Sequence, residues 1–293
     1  MVRRKIDLVV GADICSEPCR SLERAVEDAS ELKGLAERAT LTSGDGWSAS
    51  PSRKAGFRQE FEVAGEKYGV CWIPPGEFDM GSPESEERRF GSETLHHVKL
   101  TNGFWLLETP VTQRFYESVT KKNPSRFKGA DLPVERVSYD EALEFCKELT
   151  KLLPSGLKAT LPTEAQWEYA CRAGTKTAYW YGNAPDASMM NYADSGIRHT
   201  SPVKKYEPNS WGLYDMHGNV LEWCLDYWRL DYYGECPSGM VVDPKGANSG
   251  SDRVRRGGAW NNYATFCRSA FRGGDSPESR INDLGFRCLL SCD

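Results

Sequence analysis

The sequence predicts an α+β fold with few helices, short antiparallel strands and much irregular structure. Three observations lead to this class: a small number of well-capped helices, short apolar segments between turn residues, and an unusual composition. The 293 residues include 9 Trp, 13 Tyr, 11 Phe, 27 Gly and 16 Pro. Such a composition is typical of a turn-rich domain with aromatic anchors and not of a helical bundle.

Three helices are predicted from their first residues. Ser138 and Glu141 can exchange hydrogen bonds as a capping box, and Thr163 and Gln166 can do the same. Behind both boxes, apolar side chains recur at steps of three and four residues, which is the spacing of one helix face. Thr112 can cap a third, shorter helix.

Two stretches are predicted to form strands. The segment 67–73 (KYGVCWI) is predicted as a strand that ends at two prolines and a glycine. The segment 96–107 (HHVKLTNGFWLL) predicts two strands around Asn102 and Gly103, because an Asn-Gly pair between apolar runs favours a tight hairpin turn.

The chain divides into two parts by composition. Residues 1–55 are predicted to form an N-terminal helical segment, from Ser16 to Thr40, followed by a linker rich in serine and glycine. Residues 56–293 are predicted to form the main domain.

Charge and hydropathy exclude two classes of protein. The formal net charge is −5 and the pI is about 5.6, which argues against a nucleic-acid partner. No run of 18 apolar residues is present, so no transmembrane helix is predicted. The N-terminus carries basic residues, but its apolar run is too short for an ordinary secretory signal.

The 10 cysteines have irregular spacing and form no C-x-x-C pair, which argues against a zinc ribbon or a thioredoxin-type site. Cys146 and Cys171 lie on the apolar faces of predicted helices. We expect free buried thiols there in preference to bridges. The cysteines do not decide the redox compartment.

Four long motifs follow one another along the chain: 78–81 (FDMG), 161–170 (LPTEAQWEYA), 211–223 (WGLYDMHGNVLEW), and 256–260 (RGGAW) running to 284–287 (LGFR). In order and spacing they resemble the formylglycine-generating enzyme and sulfatase-modifying-factor family, roughly from Gly69 to Leu290. The resemblance implies a variant C-type lectin fold.

The catalytic residues of that family are only half present. The resemblance implies that the enzymes hold copper between two cysteine thiolates, and the matching positions here are Asn262 and Cys267. A two-coordinate copper site needs both sulfurs. We therefore expect no catalysis and no required cofactor, with a copper or iron oxidoreductase using Cys267 as the alternative.

A second branch of the family, the iron-dependent sulfoxide synthases, uses three histidines. This chain has 4 His, and the adjacent pair His96 and His97 would point to opposite faces of a strand. His199 is placed in a loop. An iron site is therefore not expected.

The segment 256–287 resembles the variable region of diversity-generating retroelement proteins of the treponemal variable protein type. In that family, template adenines are copied with errors, so an AAC codon becomes other codons that end in C. Lys, Glu, Gln, Met and Trp are then excluded. The resemblance places the variable, ligand-binding positions at Tyr263, Thr265, Phe266, Phe271, Gly273, Gly274, Asp275, Ser276, Ser279, Ile281, Asn282 and Asp283, all of permitted types.

The resemblance implies a receptor or adhesin that binds a protein or cell-surface ligand through this hypervariable face. Tyr263, Phe266 and Phe271 would supply contact area at low entropic cost. The alternative for Phe266 and Phe271 is a place in the core of a strand. A location at the cell surface or outer membrane, with a lipid anchor, is also implied only by the resemblance.

Calcium is the one metal that remains open. Family members can bind it through a Gly-Asn-x-x-Glu stretch, which is matched here at Asn219 and Glu222, and Asn191 partly matches a second site. Structural hydrogen bonding by Glu222 is an equally good interpretation.

Overall fold

The computed structural model describes residues 41–42, 47, 53–235 and 239–292. Three helices are present in these ranges: α1 (Gln113–Thr120), α2 (Tyr139–Leu152) and α3 (Glu164–Arg172). None of the described helices has the length and apolar character needed to cross a bilayer. The helix expected from Ser16 to Thr40 lies outside the described residues.

The strands are short and mostly antiparallel, which confirms the predicted α+β class. In chain order they are β1 (Leu41–Thr42), β2 (Arg58–Val63), β3 (Glu66–Ile73), β4 (Gly76–Met80), β5 (His96–Leu100), β6 (Phe104–Leu107), β7 (Leu157–Thr160), β8 (Leu221–Tyr227), β9 (Met240–Val242), β10 (Arg253–Arg256), β11 (Arg272–Asp275), β12 (Leu284–Gly285) and β13 (Leu289–Cys292).

They form three sheets. The largest has the order β1-β2-β3-β6-β13-β7, so the last strand of the chain is inserted between two earlier ones. A four-stranded sheet, β11-β10-β8-β12, contains the strands of the segment 256–287, and a three-stranded sheet has the order β4-β5-β9. The predicted strand at 67–73 is confirmed as part of β3.

The predicted hairpin at 96–107 is wrong. Both strands exist, but β5 pairs with β4 and β9, whereas β6 pairs with β3 and β13. The chain crosses between sheets at Thr101, whose amide and hydroxyl both donate to the Asp243 carboxylate. At Gly103, a Cβ atom would lie 2.4 Å from the Trp72 ring, so the glycine permits close packing of the backbone on that ring.

The helix starts are as predicted. The Ser138 hydroxyl accepts from the Glu141 amide at 3.2 Å, and the Glu141 carboxylate accepts from the Ser138 amide at 2.9 Å. Thr163 and Gln166 form the same reciprocal pair, and Thr112 caps α1. Each cap is worth about 1 kcal/mol, because it satisfies amides that have no partner inside the helix.

Aromatic rings fill the core beneath the sheets, and Trp72, Trp105, Trp167 and Trp223 are almost completely buried. The cysteines expected to be buried free thiols, Cys146 and Cys171, are free and buried. Such rigid packing gives the four-stranded sheet a stable base.

Part of the expected linker is packed on the domain. Trp47 is 7% exposed and its ring lies 5.3 Å from that of Trp105. The Cys292 thiol donates to the Trp47 carbonyl oxygen at 2.6 Å, and β1 pairs with β2. Trp47 therefore packs on the domain, and the boundary at residue 55 stays a prediction.

Candidate functional site

The segment 256–287 alternates between buried residues and residues that reach the surface. It runs from β10 through a 3-10 turn at Ala264–Cys267 into β11, which pairs antiparallel with β10. A loop then leads to β12. The Trp260 indole N–H donates to the Asn282 carbonyl oxygen at 3.1 Å, so the beginning and the end of the region lie side by side.

Four arginines of this region are buried and paired with glutamates from elsewhere in the chain. We call them the arginine frame, and they are Arg256, Arg268, Arg272 and Arg287. Arg268 is bidentate on Glu93, with N–O distances of 2.6 and 2.8 Å, and it also contacts Glu86. Burial lowers the pKa of the Arg268 guanidinium, but the carboxylates outweigh this effect and the pKa is raised.

Arg272 fixes strand β11 to the first residue of α3. Its Nε and Nη2 donate to the two oxygens of Glu164 at 2.8 and 2.7 Å, and the Tyr233 hydroxyl donates to the same carboxylate at 2.8 Å. The guanidinium also stacks on Tyr233 and Trp228. Burial raises the pKa of Glu164, but Arg272 and Arg256 outweigh it, so the pKa is lowered.

Arg256 is completely buried and pairs with Glu168 of α3. Its Nη1 and Nη2 also donate to the carbonyl oxygens of Ala270 and Ser269, each at 3.0 Å. Arg172 donates to the other oxygen of Glu168 at 2.8 Å. The chain that enters the variable segment and the chain that leaves its 3-10 turn are thus joined by one side chain.

Arg287 pairs with Glu222, the carboxylate that the resemblance offers as a calcium ligand. Its Nη2 and Nε donate to the two oxygens of Glu222 at 2.7 and 2.8 Å, and the Trp167 indole N–H donates at 2.7 Å. Asn219 instead bonds with the backbone of Ser201. Because the Glu222 oxygens are held by cationic and N–H donors, this residue does not fit the calcium role.

The predicted variable positions differ in exposure. Tyr263, Ser276 and Ile281 are exposed, and Tyr263 reaches 68%. The half-buried positions are Thr265, Phe266, Gly274, Asp275, Ser279 and Asn282, and the buried ones are Phe271, Gly273 and Asp283.

Phe271 was expected at the surface, but it is only 9% exposed. Two rings cover it: Phe266 at a centroid distance of 5.1 Å and Phe90 at 5.6 Å. Phe90 stacks on Phe266 at 5.7 Å and remains 37% exposed. Phe90 is not among the residues predicted from the sequence, although an aromatic residue at the end of the charged stretch ESEERRF is a usable signal.

The other side of the region is polar. The Ser279 hydroxyl donates to Asp275 at 2.7 Å, and Arg255 lies 3.4 Å from the same carboxylate. These side chains offer a hydrogen-bonding rim beside the aromatic rings.

The positions that correspond to the catalytic cysteines do not form a thiolate pair. Burial raises the pKa of the Cys267 thiol to about 12, so the thiol is protonated at neutral pH. Its Sγ contacts the Tyr263 carbonyl oxygen at 3.8 Å. The Asn262 amide donates to Asn261 at 3.2 Å.

The histidines are separated. His96 contacts Tyr233, whereas His97 bonds with the half-buried Asp79 at 2.9 Å, so the adjacent pair does point to different sides. His217 is buried and accepts from the Trp180 amide at 3.0 Å. Burial lowers its pKa to about 4. Within the described ranges, no three His, Cys, Asp or Glu side chains converge as metal ligands.

A cavity of about 670 Å³ adjoins the variable segment. Its walls come from the loop after β4 and from residues 176–185, and only one predicted variable position, Thr265, contributes to it. The cavity is therefore lined mainly by residues that are not predicted to vary, with Thr265 as the exception.

Comparison with known proteins gives a consistent set of relatives. The family model of the sulfatase-modifying factor enzyme 1-like domain matches the sequence over residues 56–292. The formylglycine-generating enzyme of Mus musculus is 31% identical over 211 residues, covering 66% of this chain and 53% of that protein. The enzyme of Streptomyces coelicolor is 37% identical over 181 residues, covering 55% and 53%. The chain thus spans about half the length of these relatives.

Two solved structures are similar over most of the chain. Treponema denticola variable protein 1 is 29% identical with a TM-score of 0.71, covering 80% of this chain and 99% of its own. PvdO from Pseudomonas aeruginosa is 28% identical with a TM-score of 0.71, covering 82% and 100%.

Proposed function

Since the chain belongs to the sulfatase-modifying factor enzyme 1-like family and has the C-type lectin fold of that family, we propose that it is a variable ligand-binding protein and not an enzyme. Its ligand is a protein or a cell-surface molecule, bound through the segment 256–287. The similarity to a treponemal variable protein supports diversification by a retroelement.

The arginine frame is the observation that carries this proposal. Arg268 and Arg272 are buried and paired, while Tyr263 and Ser276, at either end of the stretch that contains them, face solvent. Breaking a buried pair costs about 3–5 kcal/mol, whereas most exposed substitutions change stability by about 0.5 kcal/mol or less. Changes at the exposed positions are therefore compatible with an intact fold.

The chemistry at position 262 supports a binding role over catalysis. An asparagine amide is a poor substitute for a thiolate as a copper ligand, and the one remaining cysteine, Cys267, is held as a neutral thiol.

A location at the cell surface or outer membrane is part of the proposal, and so is a lipid anchor.

Oxygen consumption with copper and a thiol-containing peptide tests the absence of catalysis. We expect no turnover above the rate of copper and peptide alone. Turnover that depends on the protein, and that is lost in Cys267→Ser, would establish the oxidoreductase alternative.

The coding DNA tests the retroelement part independently. We expect codons that end in C at the twelve variable positions and a nearby near-copy with adenine-rich codons at the same places. Ordinary codon usage without a second copy would remove diversification from the proposal and leave the fold unaffected.

A further inference from the structure

Phe90 is an aromatic residue outside the variable segment that contacts two of the predicted variable positions. Phe90 is 37% exposed and contacts both Phe266 and Phe271 at centroid distances of 5.7 and 5.6 Å. Phe266 and Phe271 lie 5.1 Å apart, so the three rings touch one another pairwise. We call these three side chains the aromatic patch.

The loop that carries Phe90 is held in place by groups that do not vary. Glu93 is completely buried, accepts from the Ser82 hydroxyl at 2.8 Å and is bidentate on Arg268. Arg89 donates to the Ser82 hydroxyl at 3.2 Å and to the Glu93 carbonyl oxygen at 3.4 Å. The loop that carries Phe90 is therefore fixed by Arg268 of the frame, whereas the Phe90 ring itself packs on Phe266 and Phe271.

We propose that Phe90 is a fixed contact residue of the ligand-binding face, common to all sequence variants of the segment. The inference rests on the proposed function, because Phe266 and Phe271 are then positions that change. Phe90 lies outside the segment 256–287 and would not be rewritten with it. Each sequence variant would therefore keep the Phe90 ring, while the side chains at positions 266 and 271 beside it change.

The packing of the patch favours a polypeptide partner that presents an apolar side chain. Phe90 and Phe266 are stacked with an interplanar angle of 19°, and the Arg268 guanidinium lies 5.9 Å from the Phe90 centroid. The ring faces that a sugar would need for stacking are thus partly covered. Exposed charges of both signs, Glu87 and Arg88, border the patch. An apolar centre with a charged rim is the usual anatomy of a protein–protein contact.

Random peptides displayed on phage provide the probe. Peptides are selected on the full chain, and the affinity of each enriched peptide is then measured for Phe90→Ala, Tyr263→Ala and Phe57→Ala. Phe57 is a matched control, because it is a phenylalanine of similar exposure, 40%, away from the variable segment. We expect binding to weaken about tenfold or more in Phe90→Ala and to stay unchanged in Phe57→Ala.

The variants separate the two levels of the proposal. Peptides that depend on Tyr263 but not on Phe90 would overturn the role of Phe90 and leave the proposed function standing. Peptides that depend on neither residue would count against both, and the absence of any enriched peptide would overturn the polypeptide partner. Phe90→Leu keeps an apolar cover over Phe271 but removes the ring, so weaker binding in this variant, with an unchanged melting temperature, assigns the effect to contact and not to folding.

Discussion

The Arg268 guanidinium and the Glu93 carboxylate meet edge to edge, with Nη2–Oε1 at 2.6 Å and Nη1–Oε2 at 2.8 Å. The two residues are 175 positions apart in sequence and both are buried. A parallel pair of charged hydrogen bonds fixes both distance and orientation. The pair therefore sets the position of the variable turn against the loop that carries Phe90.

Removal of one partner should reveal how much the frame holds. In Glu93→Gln the buried Arg268 cation loses its bidentate partner and keeps only Glu86 as a counter-charge, and we expect the free energy of unfolding to fall by about 3 kcal/mol. Denaturant titration followed by circular dichroism measures it. Arg280→Leu is the control, because its pair with Glu141 is exposed, at 49% and 41%, and should contribute little. Equal losses in the two variants would contradict the distinction between frame and surface.

Two adjacent glycines at predicted variable positions should differ in tolerance. A Cβ at Gly274 would lie 2.2 Å from the Trp228 side chain, whereas one at Gly273 would meet its nearest atom at 3.6 Å. Gly274→Ala should therefore lower the free energy of unfolding by about 1–3 kcal/mol, and Gly273→Ala should leave it nearly unchanged. The same denaturant titration compares them. If both are tolerated equally, Trp228 yields easily and the expected restriction at position 274 is absent.

Asp226 should make stability depend on pH near neutrality. Burial and the neighbouring Glu164 raise the pKa of this carboxyl from 3.8 to about 7, and it accepts from the Glu164 amide. Below pH 4 the carboxyl is protonated in both folded and unfolded states, so its stabilising contribution is fully present. Between pH 4 and 7 the unfolded state ionises first, and the contribution is lost as pH rises through 7.

Asp226→Asn removes this titration. We expect the variant to be more stable than the wild type at pH 8, by on the order of 2–4 kcal/mol, with a smaller difference at pH 4. Thermal unfolding across that pH range measures the difference. A constant gap at all pH values would mean that Asp226 does not titrate there.

Cys267 should be chemically silent in the folded protein. With a pKa of about 12, the thiolate fraction at pH 8 is about one in ten thousand. Iodoacetamide labelling followed by peptide mass mapping should modify the partly exposed Cys292 well before Cys267, and modification of Cys267 should appear only in denaturant. Rapid labelling of Cys267 in the folded state would reopen the catalytic interpretation.

The helix starts could be predicted from the sequence, because Ser138 and Glu141 satisfy each other within one turn. The hairpin at Asn102 could not, because the crossing depends on Asp243, which is distant in sequence. The glutamate partners of the arginine frame could not be predicted either, because they are also distant in sequence. No local pattern predicts Glu93 as the partner of Arg268 or Glu164 as the partner of Arg272, because 175 and 108 positions separate them. The burial of Phe271 could not be predicted, because Phe90, which packs over it, belongs to a loop that is distant in sequence.

The central claim is that the exposed variable side chains, and the half-buried polar ones Thr265 and Asn282, can change without loss of the fold. Thermal unfolding of one variant with Tyr263→Ser, Thr265→Ala, Ser276→Asn, Ile281→Thr and Asn282→Asp tests it most directly. All five replacements are residue types that the retroelement code allows. We predict a melting temperature within about 5 °C of the wild type, since no frame contact is altered. A fall in melting temperature as large as the fall measured for Glu93→Gln by the same method would contradict the claim that the frame, and not the variable side chains, stabilises this surface.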